Sequence, residues 1–346
     1  MLGYIVLVLA VAGAPAFAGD QLTFPEVARG AARIVSGWEA QEGQIPHQIS
    51  LRMVNPGGGV SSCGASLIHH EWALTAAHCT AARVSLVLRF GTVNLTRPAL
   101  IQESTEYYNH PSYNEAFPGV VQPNDIGVIK LRRPVEYTDL IKPVRIQRSA
   151  DKDKSYDRVQ LTASGWGLLW TQATSPENLN WVYLLGVENS YCRVRYGFSS
   201  IIQDSTICAS AYNVSSQSTC QGDSGGPLTV VDVDGQLSVV GVTSFVSATG
   251  CHTDFPAGFI RAGYYHDWYY QLTGINFDWD PEEAGSGEGS SEGSNENSNE
   301  DSNESSNESS NENSNESSNE NSNESSNENS SESSNGSSES TSEEDK

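Results

Sequence analysis

From Ile34 to about Tyr264 the chain is written as short β-branched runs, such as Val84-Ser85-Leu86-Val87-Leu88 and Leu237-Ser238-Val239-Val240-Gly241-Val242, separated by Gly, Pro and Asn turns. Runs of this length, closely spaced and punctuated by turn formers, predict an all-β sandwich or barrel. A helical period comes only near the end. There Tyr265, Trp268, Tyr269 and Leu272 share one face and predict a single amphipathic helix packed on the body.

Charge divides the 346 residues unevenly. Residues 278–346 hold 21 of the 43 acidic residues and one of the 19 basic ones, which leaves 22 acids and 18 bases for the rest. A nearly balanced body therefore precedes a polyanionic extension, and no basic patch suggests nucleic acid. After Asp280-Pro281 the composition turns to Gly, Ser and Glu and then to a near-periodic Ser-Asn-Glu-Ser repeat without core formers, which predicts disorder. Residues 274–346 are read as linker and disordered acidic tail. Sequons at Asn303, Asn307, Asn315, Asn323, Asn329 and Asn335, with Asn94 and Asn213 in the body, make glycosylation an expectation.

Residues 1–18 run apolar through Ile5–Val11 to Ala16-Phe17-Ala18 and read as a signal peptide. The alternative, an N-terminal anchor, suffers from the shortness of the run, and no later stretch reaches the roughly 20 apolar residues of a spanning helix. Secretion into an oxidising compartment follows, with no membrane association. The six cysteines, Cys63, Cys79, Cys192, Cys208, Cys220 and Cys251, then favour three disulfides over metal ligation, and no CxxC pair exists.

Ser224 lies in Cys220-Gln221-Gly222-Asp223-Ser224-Gly225-Gly226-Pro227-Leu228, where flanking glycines let the backbone turn around an exposed hydroxyl. A serine hydroxyl is a poor nucleophile until a base removes its proton and an acid orients that base. His78, in Leu74-Thr75-Ala76-Ala77-His78-Cys79, and Asp125, in Asn124-Asp125-Ile126-Gly127-Val128, supply those types. With Ile34-Val35-Ser36-Gly37 at the start and Gly165-Trp166-Gly167 between, these segments resemble the chymotrypsin-like serine proteases over about Ile34 to Leu272, and the pocket is closest to elastase- and chymotrypsin-like members.

The resemblance implies two six-stranded antiparallel β-barrels with a C-terminal helix, over a protease domain of residues 34–273. His78 and Asp125 would come from the first barrel and Ser224 from the second. His78 would act as general base and Asp125 would hold its tautomer, with Ser244 supporting Asp125. The N–H groups of Gly222 and Ser224 would form the oxyanion hole. Implied disulfides are Cys63–Cys79, Cys192–Cys208 and Cys220–Cys251. A further disulfide of many relatives is replaced by Leu161 and Val230.

Residues 19–33 read as an activation propeptide. A trypsin-like protease cutting after Arg33 would free an ammonium group at Ile34, which family precedent seats beside Asp223. Ser218, followed by Thr219, stands where a floor Asp would select Lys or Arg, so cationic side chains would meet no partner. The resemblance places the wall segment Ser244-Phe245-Val246-Ser247 on one side of the slot and Ala257 opposite, with Ser244 counted among the substrate-binding residues and Val246 narrowing the slot in favour of small or medium apolar residues. A polypeptide substrate, protein protease inhibitors and a monomeric state are the implied partners and form, with no cofactor and no metal.

Other readings are weaker. A non-catalytic homologue acting as a binding or cascade adaptor would show a lost triad residue, and none is lost. A metal site on His69-His70-Glu71 fails because adjacent histidines on a strand face opposite ways. The tail reads as a solvated bristle, with glycan carriage or cation and basic-partner binding as alternatives.

Overall fold

Alternation along β5 (Ser85–Phe90) is complete: Leu86, Leu88 and Phe90 are buried while the residues between them are half-exposed. That period of two is what a strand with one face on a core requires. The same logic forms one sheet from β2 (Gln48–Val54), β3 (Val60–His69), β4 (Trp72–Thr75), β5, β6 (Leu100–Ser104), β7 (Tyr107–Asn109) and β8 (Gly127–Lys130), after the short β1 (Trp38–Glu39). Its order is β6-β5-β2-β3-β4-β8-β7, antiparallel throughout. This computed structural model describes residues 37–169, 174–251 and 253–281. The signal peptide, the propeptide ending at Arg33, residues 34–36 after it, and the tail from residue 282 onward with its sequons lie outside them.

The second sheet contains β9 (Arg145–Ile146), β10 (Gln160–Gly165), β11 (Asn180–Val187), β12 (Thr206–Ala211), β13 (Pro227–Val231), β14 (Leu237–Phe245) and β15 (Ala257–Arg261), with β1 added at β11. The path β11-β10-β13-β14-β15-β12 returns through β12–β11 pairing and so closes a six-stranded barrel. The fold is therefore the mostly-β arrangement expected, one barrel closed and the other sheet curled with seven strands. Leu161 and Val230 pack in one apolar cluster beside the Thr162–Thr229 pairing, so apolar contact stands where a disulfide was missing.

The two sheets meet through glycine. A Cβ on Gly64 would lie 2.8 Å from Gly226 Cα, so only bare backbone allows β3 to approach the start of β13. Among the described residues the α-helices are α1 (Ala77–Thr80), α2 (Asn189–Arg195) and α3 (His266–Thr273). α3 ends at Gly274, whose φ of 71° is left-handed and whose N–H donates to Tyr270 O at 2.9 Å. Tyr265, predicted for this helix, sits in the 3₁₀ turn just before it.

The chain stays packed on the body beyond α3. Ile275 and Phe277 join the main apolar cluster, and Asp278 accepts the Ser149 N–H at 2.9 Å. Trp279 donates its indole N–H to Ile146 O at 2.9 Å, with the Arg145 guanidinium 3.6 Å from its ring centre. Among the described residues no helix is long and apolar enough to cross a membrane.

Candidate active site

His78 rides on α1, a single turn that follows directly from β4. Its place is pinned from both sides, because neighbouring Cys79 is bonded to Cys63 of β3. Asp125 comes from the segment entering β8, where Asn124 adopts a left-handed φ of 57° and its carbonyl accepts the Ile126 N–H at 2.8 Å. The Tyr265 hydroxyl donates to Asn124 Oδ1 at 3.1 Å and braces that turn.

These turns bring the two side chains together. Asp125 Oδ1 accepts the His78 backbone N–H at 2.8 Å, and Oδ2 lies 2.7 Å from His78 Nδ1. Ser244 donates its hydroxyl to the same Oδ2 at 2.6 Å. A register shift in the β14–β15 pairing between Thr243 and Phe245 takes Ser244 out of the ladder and lets its side chain reach across the interface. Burial alone would raise the Asp125 carboxyl. The charge and hydrogen bond of His78, with the Ser244 hydroxyl and the His78 N–H, hold it below the usual carboxylate range. Burial likewise pushes the His78 imidazole down, but Asp125 outweighs it and leaves the ring above its ordinary 6.5.

Ser224 belongs to a turn threaded against both. Its carbonyl accepts the Gly64 N–H at 2.7 Å, next to the Cys63–Cys79 bond. Gly225 follows at φ 76°, and a Cβ there would lie 2.2 Å from Thr75 Oγ1 and 3.1 Å from Ala76 N, just ahead of His78. Among the described residues no hydrogen bond joins the Ser224 hydroxyl to His78. The N–H groups of the turn divide in two. Those of Asp223, Gly225 and Gly226 donate to Cys220 O, Thr243 O and Asp223 O, whereas those of Gly222 and Ser224 have no acceptor among the described residues.

Asp223 points inward, away from this surface. Its carboxylate accepts the Gly167 N–H at 2.8 Å and the Cys220 N–H at 2.9 Å. Burial lifts its pKa to about 6, since two backbone donors only partly offset the lost water. Gly165 and Gly167 make room for it, with Cβ positions only 2.2 Å and 2.4 Å from its atoms. Gly-Trp-Gly was visible in the sequence as a segment, but its role as a carboxylate cradle was not.

Ser218 and Thr219 are buried on the approach to Cys220, which is bonded to Cys251; Cys192 is bonded to Cys208. Val246 packs against both the Cys220–Cys251 cluster and the cluster containing Ala257. The Phe245 ring, given no role of its own in the sequence reading, fills the space over Gly258, where a Cβ would come 2.0 Å from Phe245 Cζ. Metal ligation does not fit here. Cys63, His78 and Cys79 cluster, yet the two sulfurs are consumed by their disulfide and cannot act as thiolates.

Comparison with known proteins agrees with this geometry. The Trypsin family model matches residues 34–269. Collagenase of Hypoderma lineatum is 35% identical over 273 residues, covering 79% of this chain and 98% of that one. Chymotrypsin-like elastase family member 1 of Rattus norvegicus is 33% identical over 253 residues, covering 71% and 90%. A solved collagenase structure superposes with a TM-score of 0.62 at 35% identity, covering 70% of this chain and 99% of that one.

Proposed function

The chain belongs to the trypsin family of serine proteases, and from that premise we propose that it is a secreted endopeptidase, held as a zymogen, that cuts after uncharged apolar residues. The observation that carries the reading is the Asp125 carboxylate, buried and bound at once by His78 N, His78 Nδ1 and Ser244. Because Nδ1 donates to Asp125, Nε2 carries the lone pair; the Cys79 Sγ 3.7 Å away is in a disulfide and has no proton to give, so Nε2 can take one from elsewhere.

Ser224 Oγ attacks the scissile carbonyl carbon as its proton passes to His78 Nε2. The resulting oxyanion is held by the unused N–H groups of Gly222 and Ser224, each such donor contributing ~3 kcal/mol to the transition state. His78 then protonates the departing amine, and water repeats the sequence on the acyl-enzyme. The missing Ser224–His78 bond closes on processing or when substrate expels water, as loose apo geometry commonly does.

Activation is a charge switch. Among the described residues Asp223 is bound by backbone donors alone, with no cation beside it, and burial lifts its pKa to about 6. Cleavage after Arg33 by a trypsin-like protease supplies the Ile34 ammonium, and pairing it with Asp223 orders the oxyanion turn. Specificity rests on Ser218 and Thr219, which offer no carboxylate to a cationic residue, and on Val246 and Ala257, which narrow the slot. Residues 1–18 direct secretion, the enzyme acts as a monomer open to protein inhibitors, and the acidic tail is a solvated bristle.

Trypsin-treated protein should react with an organophosphonate at Ser224 and hydrolyse apolar peptide substrates, while Ser224→Ala and Arg33→Gln should do neither. Labelling of the Ser224→Ala protein, or full activity in Arg33→Gln, would overturn the assignment.

A further inference from the structure

Asp125 is the middle residue of a three-residue turn, closed by the Ile126 N–H on the Asn124 carbonyl at 2.8 Å. Its carboxylate bridges His78 N and Nδ1 only while that turn points it at α1. The backbone therefore sets its orientation, and every bond on the turn bears on the imidazole.

Separate pieces of chain hold the turn. β7 pairs with β8 through Asn109 and Gly127, just past it. His110 donates its N–H to Ile126 O at 3.0 Å. A further hold comes from the far end of the fold, where Tyr265, in the 3₁₀ turn ahead of α3, donates its hydroxyl to Asn124 Oδ1 at 3.1 Å across 141 residues. Asn124, at its left-handed φ of 57°, leads directly into Asp125, and asparagine tolerates that conformation. Fixing its side chain fixes the entry to the turn.

Packing alone does not account for the Tyr265 hydroxyl. The residue is 5% exposed, with the rings of His110 and Trp268 edge-on to it at 5.1 and 6.5 Å between centres. A phenylalanine ring would fill the same space without burying an oxygen, which costs free energy unless it is bonded. What the oxygen adds is the bond to Asn124. Burial first, and the Asp125 charge with it, lift its pKa to about 12, so the hydroxyl keeps its proton and serves as the donor.

We infer that Tyr265 is a positioning residue for the reaction: through Asn124 it sets the direction of the Asp125 carboxylate and so the alignment of His78. The inference rests on the reading of His78, Asp125 and Ser224 as the reacting groups. Tyr265 follows closely on β15, the strand whose irregular pairing with β14 also frees Ser244. The second sheet thus holds Asp125 twice, by Ser244 at the carboxylate and by Tyr265 at the turn that carries it.

Tyr265→Phe in the trypsin-processed full chain should lower kcat about tenfold, roughly the factor of one hydrogen bond, with KM held within about twofold. Asn124→Gly keeps the left-handed backbone but removes the acceptor. In that background Tyr265→Phe should change kcat by less than about twofold, because the bond is already gone. An unmoved kcat in Tyr265→Phe, a loss carried by KM, or the same loss in both backgrounds would each overturn the inference. Proton NMR of the unprocessed chain needs no turnover. The His78 Nδ1–H resonance, assigned with labelled histidine, should shift in Tyr265→Phe and in Asn124→Gly, and a resonance unmoved in both would overturn the inference. If the processed parent failed to hydrolyse apolar peptides, the protease reading would fall, while this resonance would still report whether Tyr265 aligns the His78–Asp125 pair.

Discussion

Replacing Gly167 by Ala tests whether the Asp223 cradle controls the reactive turn. Gly167 has no left-handed φ, so Ala brings no backbone strain, only volume. Its Cβ would fall 2.4 Å from Asp223 Cγ and Oδ2 and 2.6 Å from Oδ1, with Gly167 backbone already against the neighbouring turn, 3.0 Å from the Cβ position of Gly222. Asp223 is 1% exposed and cannot swing into water without unfolding its surroundings. To accommodate the methyl group it must give up the bonds from Gly167 N and Cys220 N. Two hydrogen bonds to a charged group, at ~1.5–3 kcal/mol each, come to about 3–6 kcal/mol. Charged against the competent turn, that is roughly a hundredfold to ten-thousandfold loss in kcat/KM. As global stability it would lower Tm by about 2–4 °C per kcal/mol for a body of this size. The assay is hydrolysis of a chromogenic apolar peptide by trypsin-processed protein, together with a thermal melt of the unprocessed chain. Gly119→Ala serves as control, since a Cβ there meets nothing within 4 Å and should leave both readouts within ~0.5 kcal/mol. If Gly167→Ala tracked that control, the carboxylate would not be clamped as described and the cradle argument would fall.

Other outcomes follow from the same geometry. Only a neutral imidazole can accept the Ser224 proton, and Asp125 holds the His78 pKa above 6.5, so kcat/KM should rise with pH through an inflection above 6.5. In Asp125→Asn, burial acts without the countercharge and the inflection should move down; a parent inflection below 6.5 refutes the coupling. Val246→Gly should widen the slot and raise the kcat/KM ratio of Phe over Ala substrates by about 10–200-fold, and an unchanged ratio would remove Val246 from the specificity pocket. Ending the chain after Gly274 should cost about 2–4 kcal/mol in denaturant unfolding, through loss of the half-buried Ile275, Phe277 and Trp279. Ending it after Pro281 should change nothing; equal stability of the two truncations would show that the post-helix contacts contribute nothing.

Much of the chemistry was legible because it is local. The glycines around Ser224 declare a tight turn whatever the rest of the chain does, and Gly222 indeed has φ 100° and Gly225 76°. Likewise Leu86, Leu88 and Phe90 announce a strand with one buried face, and the cysteines pair as the resemblance implied. The helix at the end was legible from its period, although Tyr265 falls in the turn before it, where it braces Asn124 instead of extending the helix.

Residue order by itself thus determined the β architecture and pointed to the proposed reacting groups, since turn chemistry and side-chain period act between residues a few positions apart. Only the tertiary structure decided how Asp125 is held, because Ser244 reaches it through a register shift that depends on β15, not on any neighbour in sequence. It alone showed that Gly165 and Gly167 are the walls around Asp223, and that Phe277 and Trp279 belong to the packed body. Each of these depends on which distant segments share a volume once the apolar faces are buried, and excluded volume has no signature in the linear chain.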